Sequence, residues 1–133
     1  MITVFTCGCF DLVHAGHVHL LRRARELGDR LIVGINTDES IRRLKGSDRP
    51  INRLADRIAV LSAIRWVDHV IPFDDLTPAG IVAELQPDIL VKGPGYSRDT
   101  MPEAAACRAK VFILDGPDLS TTQILDKARQ DIR

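Results

Sequence analysis

Short apolar runs at 2–5, 31–35, 67–71, 89–91 and 111–114, with helically spaced segments between them, constrain this chain more than any other feature. The runs are rich in Val, Ile and Leu and are mostly continuous rather than alternating, the pattern of strands covered on both faces. Between the first two, Val18, Leu21, Ala24 and Leu27 recur every three residues, and Gly28 follows where a helix C-terminal glycine belongs. Leu54, Ile58 and Leu61, beside Ala55, Ala59 and Ser62, predict a second helix. A third opens at Pro78, carries Ile81, Val82 and Leu85, and stops at Pro87. The last contains Ile124, Leu125, Ala128 and Ile132, with Ser120, Thr121 and Thr122 as cap candidates. Residues 42–53 read as the longest polar connection and 93–102 as the second. Strand–helix alternation of this kind specifies an α/β fold, a Rossmann-like doubly wound five-stranded parallel sheet. At 133 residues the chain is expected to form a single domain, 1–133, with a core large enough to need no metal or disulfide staple.

In such sheets ligands bind beyond the carboxyl ends of the strands, where the strand order reverses, so chemistry is sought after each strand. After the first comes Cys7-Gly8-Cys9-Phe10-Asp11-Leu12-Val13-His14-Ala15-Gly16-His17, running into a helix. Gly8 suits a tight turn or a close backbone approach. His14 and His17, three apart, share one face at the helix start, beside unpaired N–H groups and the positive end of the helix dipole. That combination is an anion site. Two bare capping histidines, or part of a metal site, are the plainer readings of the same residues.

Charge and cysteine usage narrow the classes. The 18 basic residues balance the 18 acidic ones, so no excess charge favours nucleic acid or a membrane surface. No apolar run approaches the ~20 residues of a membrane span, and a cytoplasmic location is expected. Cys7, Cys9 and Cys107 are odd in number and lack zinc spacing, which makes them small side chains near a turn rather than a redox or zinc centre.

Gly8-x-Phe10-Asp11 followed by His14-x-Gly16-His17 resembles the signature of the cytidylyltransferase-like nucleotidyltransferases. Leu44-Lys45-Gly46, Arg49-Pro50 and Arg57 resemble that family's phosphate-holding loop and helix, and Ser120-Thr121-Thr122 its Ser-Thr-Thr motif. The stretches Leu27-Gly28-Asp29-Arg30, Arg43-Leu44-Lys45-Gly46 and Pro87-Asp88-Ile89-Leu90-Val91-Lys92-Gly93 are most similar to adenylyltransferases of ADP-heptose formation. Three positions depart from that pattern. Cys7 stands where those enzymes carry Asn, Gly93-Pro94-Gly95-Tyr96 replaces Gly-Gly-Asp-Tyr, and Ile64-Arg65-Trp66-Val67-Asp68 is similar to a segment in which an arginine holds CTP.

The resemblance implies a nucleotidyltransferase that joins ATP to D-glycero-β-D-manno-heptose 1-phosphate with release of pyrophosphate. The alternatives are a cytidylyltransferase acting on glycerol 3-phosphate, another polyol phosphate or a phosphonate, and a silent nucleotide-binding module. It implies His14, His17 and Lys45 as catalytic residues. Gly8, Cys9, Phe10, Asp11, Arg65, Lys92, Gly93, Ser120, Thr121 and Thr122, with the two histidines, would bind nucleotide, and Lys45 and Arg57 the acceptor phosphate. Asp11 is expected to orient the turn and a histidine. Mg²⁺ would sit on phosphate oxygens, with no protein ligand named. A homodimer is implied, as is a separate sugar kinase, the transferase standing alone in this chain.

Overall fold

The computed structural model describes residues 1–116 and 120–132. Pro117, Asp118 and Leu119, and the side chain of Ile132, lie outside the described residues. Strands β1 (Thr3–Gly8), β2 (Arg30–Asn36), β3 (His69–Phe73), β4 (Ile89–Lys92) and β5 (Lys110–Ile113) form one sheet in the order β3-β2-β1-β4-β5. Every pairing is parallel, with Val4 opposite both Leu31 and Ile89. Helices α1 (Ala15–Glu26), α2 (Asp38–Lys45), α3 (Leu54–Ser62), α4 (Ala79–Leu85) and α5 (Thr121–Ile132) complete the alternation. The fold expected from the apolar runs is the fold observed.

Continuous apolar strands serve two cores at once because successive side chains point to opposite faces. Val4, Leu31, Val33, Ile89 and Val91 pack on one side with Leu21 and Ala24 of α1 and Leu61 of α3. Phe5, Ile32 and Leu90 pack on the other with Val82 of α4, Met101 and Ala104. Gly34 lies where β2 passes Phe5, and a Cβ there would stand 2.8 Å from the Phe5 ring.

Three local expectations are corrected. First, the connection expected over 42–53 is shorter than that: its first four residues belong to helix α2, Asp38–Lys45. The Thr37 hydroxyl accepts the Ser40 N–H at 3.3 Å, acidic residues occupy the first turn and basic ones the last. Likewise two short 3₁₀ helices, Arg98–Thr100 and Pro102–Ala106, fill the approach to β5. Second, of the two stripes on α3 only Leu54, Ile58 and Leu61 face the core, while Ala55, Ala59 and Ser62 are exposed. Third, Gly8 ends β1 rather than making the turn. The reversal falls on Phe10, at φ 48°, and Gly8 leaves room for the Phe10 ring, which would lie 3.2 Å from a Cβ.

Candidate active site

The strand order reverses between β1 and β4, and a cleft of about 360 Å³ opens at their carboxyl ends. Cys9, Phe10, Asp11, His14, His17, Lys45, Gly93, Ser120, Thr121 and Thr122 all line it, so ten of the positions read from the sequence converge.

His14 is the N-cap of α1. Its Nδ1 accepts the Gly16 N–H at 3.1 Å, and Nδ1 of His17 accepts the His14 N–H at 3.2 Å. Each neutral ring therefore carries its proton on Nε2. The rings are stacked at 4.0 Å between centroids, and Phe10 packs on His17 at 5.2 Å. Burial, then the neighbouring His14 and Lys45 charges, pushes His17 down to about 4, and burial lowers His14 as well. Near neutral pH both rings are uncharged donors. Among the described residues His14 Nε2 is buried without a partner, an unsatisfied donor in the cleft wall.

Asp11 builds the opposite wall. Its carboxylate accepts the Ile51 and Asn52 N–H groups, each at 2.8 Å, and Arg49 Nε at 3.1 Å. Burial opposes its ionisation, but the two backbone N–H groups and Arg49 together outweigh that and hold the carboxyl below its usual range. Asp11 thus orients the 49–52 loop, not a histidine. Arg49, half of the Arg49-Pro50 pair, is held beside the cleft with one terminal nitrogen buried and unpartnered among the described residues.

At the start of α5 the three hydroxyls divide their work. Ser120 Oγ accepts the Gln123 N–H at 3.1 Å as a cap, and Thr121 donates to the Leu12 carbonyl at 3.3 Å. Thr122 is exposed on the cleft wall. Lys45, the last residue of α2, is also exposed there.

Arg57 and Arg65 do not line this cleft. Gly8 and Lys92 share a small adjoining pocket with its residues Cys9, Phe10, His17 and Gly93, and also line a second cavity on the far side of β1. There Lys92 Nζ stands 3.3 Å from Cys7 Sγ and 4.7 Å from the Tyr96 ring centroid. Burial opposes its charge, but the Cys7 thiol group and Tyr96 raise its pKa on balance, and burial pushes the Cys7 thiol up. Lys92 is a fixed cation.

Arg57 is no phosphate ligand in this arrangement. Its side chain is 0% exposed and pairs with Asp38 at 2.7 Å, and it donates to the Asn52, Cys9 and Asn36 carbonyls. Those four contacts occupy the guanidinium and lash the ends of β1 and β2 to α3. Arg65 follows α3, which runs back from the cleft to the amino end of the sheet. It stacks at 5.7 Å on Trp66, exposed, away from every residue above. Among the described residues no group of three or more His, Cys, Asp or Glu side chains is placed to hold a metal ion.

His19, Leu20, Leu114 and Gly116 also line the cleft without having been read as site residues, and they are joined by Pro94 and Tyr96, noted in the sequence only as a departure from the family pattern. Their apolar surfaces suit a flat ring. The His19 ring reaches the Asp115 carbonyl at 3.2 Å and lies 3.0 Å from where a Cβ on Gly116 would stand.

The cytidylyltransferase-like family matches residues 5–126 of the chain. A D-beta-D-heptose 1-phosphate adenylyltransferase of Bordetella bronchiseptica is 48% identical over 132 residues, which are 96% of this chain and 82% of that protein. The bifunctional protein HldE of Nitrosococcus oceani is 49% identical over 132 residues, and the chain spans only 28% of its length. A lipopolysaccharide core biosynthesis protein of Thermoplasma volcanium superposes with a TM-score of 0.76 at 29% identity, over 89% of this chain and 99% of that one. An Archaeoglobus fulgidus structure at 20% identity and a TM-score of 0.67 shares the fold. The chain belongs to the cytidylyltransferase-like family, in the group that includes the D-beta-D-heptose 1-phosphate adenylyltransferases.

Proposed function

We propose that this chain transfers AMP from ATP to D-glycero-β-D-manno-heptose 1-phosphate, giving ADP-heptose and pyrophosphate. The observation that carries the reading is the pair of uncharged histidines at the start of α1, both lining the cleft with their Nδ1 atoms committed to backbone N–H groups and their Nε2 hydrogens unengaged among the described residues. An acceptor phosphate oxygen attacks the α-phosphorus in line as pyrophosphate leaves, so no enzyme nucleophile is needed. His14 and His17 donate to the bridging and non-bridging oxygens on which charge accumulates, and one such donor is worth roughly 3–4 kcal/mol of barrier. The N-termini of α1 and α5, Thr122 and Arg49 receive the triphosphate, and Lys45 receives phosphate at the mouth. Mg²⁺ enters as part of the nucleotide substrate, carried on its phosphate oxygens, which agrees with an Asp11 already committed to three donors.

The position of Arg65 away from the cleft favours ATP over CTP, since it was the residue that spoke for CTP. No helix among the described residues is long and apolar enough to cross a membrane. A cytoplasmic homodimer supplied by a separate sugar kinase belongs to the same reading. The exposed Val60 and half-buried Trp66 offer an apolar contact surface that sedimentation velocity tests.

The deciding assay is pyrophosphate release with ATP or CTP, each paired with heptose 1-phosphate or glycerol 3-phosphate, in Mg²⁺. Release with ATP and heptose phosphate alone, abolished by His17→Ala, is the expected result. Release with CTP and glycerol 3-phosphate instead overturns the reading.

A further inference from the structure

The second cavity, about 460 Å³, lies beyond β1 from the nucleotide cleft and shares Cys9, Lys45 and Tyr96 with it as a common rim. Its floor holds Glu103, on the 3₁₀ helix Pro102–Ala106 and 3% exposed. Among the described residues no hydrogen bond or ion pair reaches the Glu103 carboxylate. The hydrogen bond that Glu103 does receive goes to its backbone carbonyl, from the Cys107 thiol at 3.7 Å. Lys92 lines the same cavity without closing an ion pair, its ammonium held against Cys7 and Tyr96. The residue is buried, yet its carboxylate oxygens open into the cavity, within reach of the Lys92 charge and with no hydrogen bond from the described residues. A carboxylate so placed is free to accept hydrogen bonds from a ligand that enters the cavity.

Acceptor chemistry narrows the ligand. A carboxylate accepts hydroxyl hydrogens at both oxygens and pairs well with a vicinal diol. Lys92 donates and so suits a hydroxyl or ring oxygen. Lys45, on the shared rim, lies where an acceptor phosphate must sit to face the α-phosphorus in the cleft. Cation at the rim, cation on one wall and carboxylate on the floor match a polyhydroxylated phosphate entering phosphate-outward.

We propose that this cavity is the acceptor subsite and that Glu103 is its specificity-determining residue, accepting two hydroxyls of a sugar phosphate whose phosphate rests against Lys45. The inference rests on the adenylyl-transfer reading and adds to it the residue that recognises the acceptor.

The test is Glu103→Gln, which keeps shape, removes the charge and turns one of the two acceptor oxygens into a donor, assayed with ATP and heptose 1-phosphate. Two charge-assisted hydrogen bonds lost predict a rise of tenfold to several hundredfold in acceptor KM, with ATP KM within twofold of wild type. Thermal unfolding of the free protein separates recognition from scaffolding: the variant is expected to melt close to the wild-type temperature, because no hydrogen bond among the described residues depends on the carboxylate. A lowered melting temperature with unchanged acceptor KM overturns the inference, as does a parallel rise in ATP KM. The same comparison is run on whichever acceptor the wild type uses. A wild type that ignores heptose phosphate but takes glycerol 3-phosphate overturns the proposed function alone. If it turns over neither, calorimetric titration of heptose 1-phosphate decides: binding that Glu103→Gln weakens tenfold upholds the subsite, and equal or no binding in both proteins overturns it.

Discussion

Replacing Arg57 by methionine separates two roles that the sequence leaves superimposed. The guanidinium is wholly buried and holds the Asn52, Cys9 and Asn36 carbonyls at 3.0, 2.9 and 2.7 Å and the Asp38 carboxylate at 2.7 Å. Methionine fills most of the stem's volume but offers no donor. Three carbonyl oxygens then lose a charged partner inside the protein, while Asp38, 30% exposed, is rehydrated. Breaking a buried charged network from one side costs about 3–5 kcal/mol, a large part of the roughly 5–15 kcal/mol that holds such a domain folded. In urea, with a slope of about 2 kcal/mol per molar, the midpoint should fall by roughly 2 M. Circular dichroism at equilibrium is the assay, repeated with ATP present. A phosphate-binding Arg57 predicts the opposite: an undisturbed midpoint in the free protein and a tenfold higher KM for nucleotide or acceptor. That pattern would refute the structural account of Arg57.

Three further perturbations check other parts of the site. His17 has its pKa lowered to about 4 from 6.5, so its contribution to stability is full above 6.5 and is lost as pH falls through 4; the 2.5-unit gap amounts to about 3 kcal/mol, and His17→Gln should flatten that part of the stability–pH curve. Asp11 is lowered too, so its contribution is present above the ordinary carboxylate range and disappears as pH falls through the depressed value. Asp11→Asn should lack that acid transition, melt lower at pH 7 and bind ATP more weakly, because the Arg49 loop loses its anchor; equal melting and ATP KM would contradict this. Gly34→Ala places a Cβ 2.8 Å from the Phe5 ring in mid-sheet, an overpacking of about 1–3 kcal/mol that calorimetry should register as a Tm drop of roughly 5–15 °C with KM values unchanged.

The strands were legible because a two-faced burial leaves a continuous apolar run, and Val4 and Phe5 serve different cores from adjacent positions. Helix α2 was not. Its buried residues, Ser40 and Ile41, are too few to print a period on Asp38–Lys45, and its remaining residues read as a charged loop. The histidines and Thr122 were legible as residues that meet in one cleft, because all three lie at helix starts beyond the carboxyl ends of parallel strands. Arg57 was read as a ligand for a related reason: an arginine close in sequence to a loop that resembles a phosphate-holding one looks like part of it. One signal pointed the other way, since Arg57 falls among Leu54, Ile58 and Leu61, the stripe that faces the core. Glu103 sits inside Pro-Glu-Ala-Ala-Ala, where a lone acid looks like solvent-facing punctuation, and only the fold of 98–106 reveals its burial.

β1 is both the first strand and the middle of the sheet, and its amino end lies at the end of the sheet away from the histidines. Thr3–Gly8 spans about 20 Å, and Met1 is 85% exposed. A fluorophore, surface tether or fused enzyme joined ahead of Met1 therefore emerges at the end of the sheet opposite the cleft. Such an attachment leaves both cavities unobstructed, which suits immobilisation and single-molecule work. It also sets a geometric rule for engineered fusions: an upstream domain on a short linker delivers its product into bulk solution, and direct hand-over requires a linker long enough to wrap around the sheet.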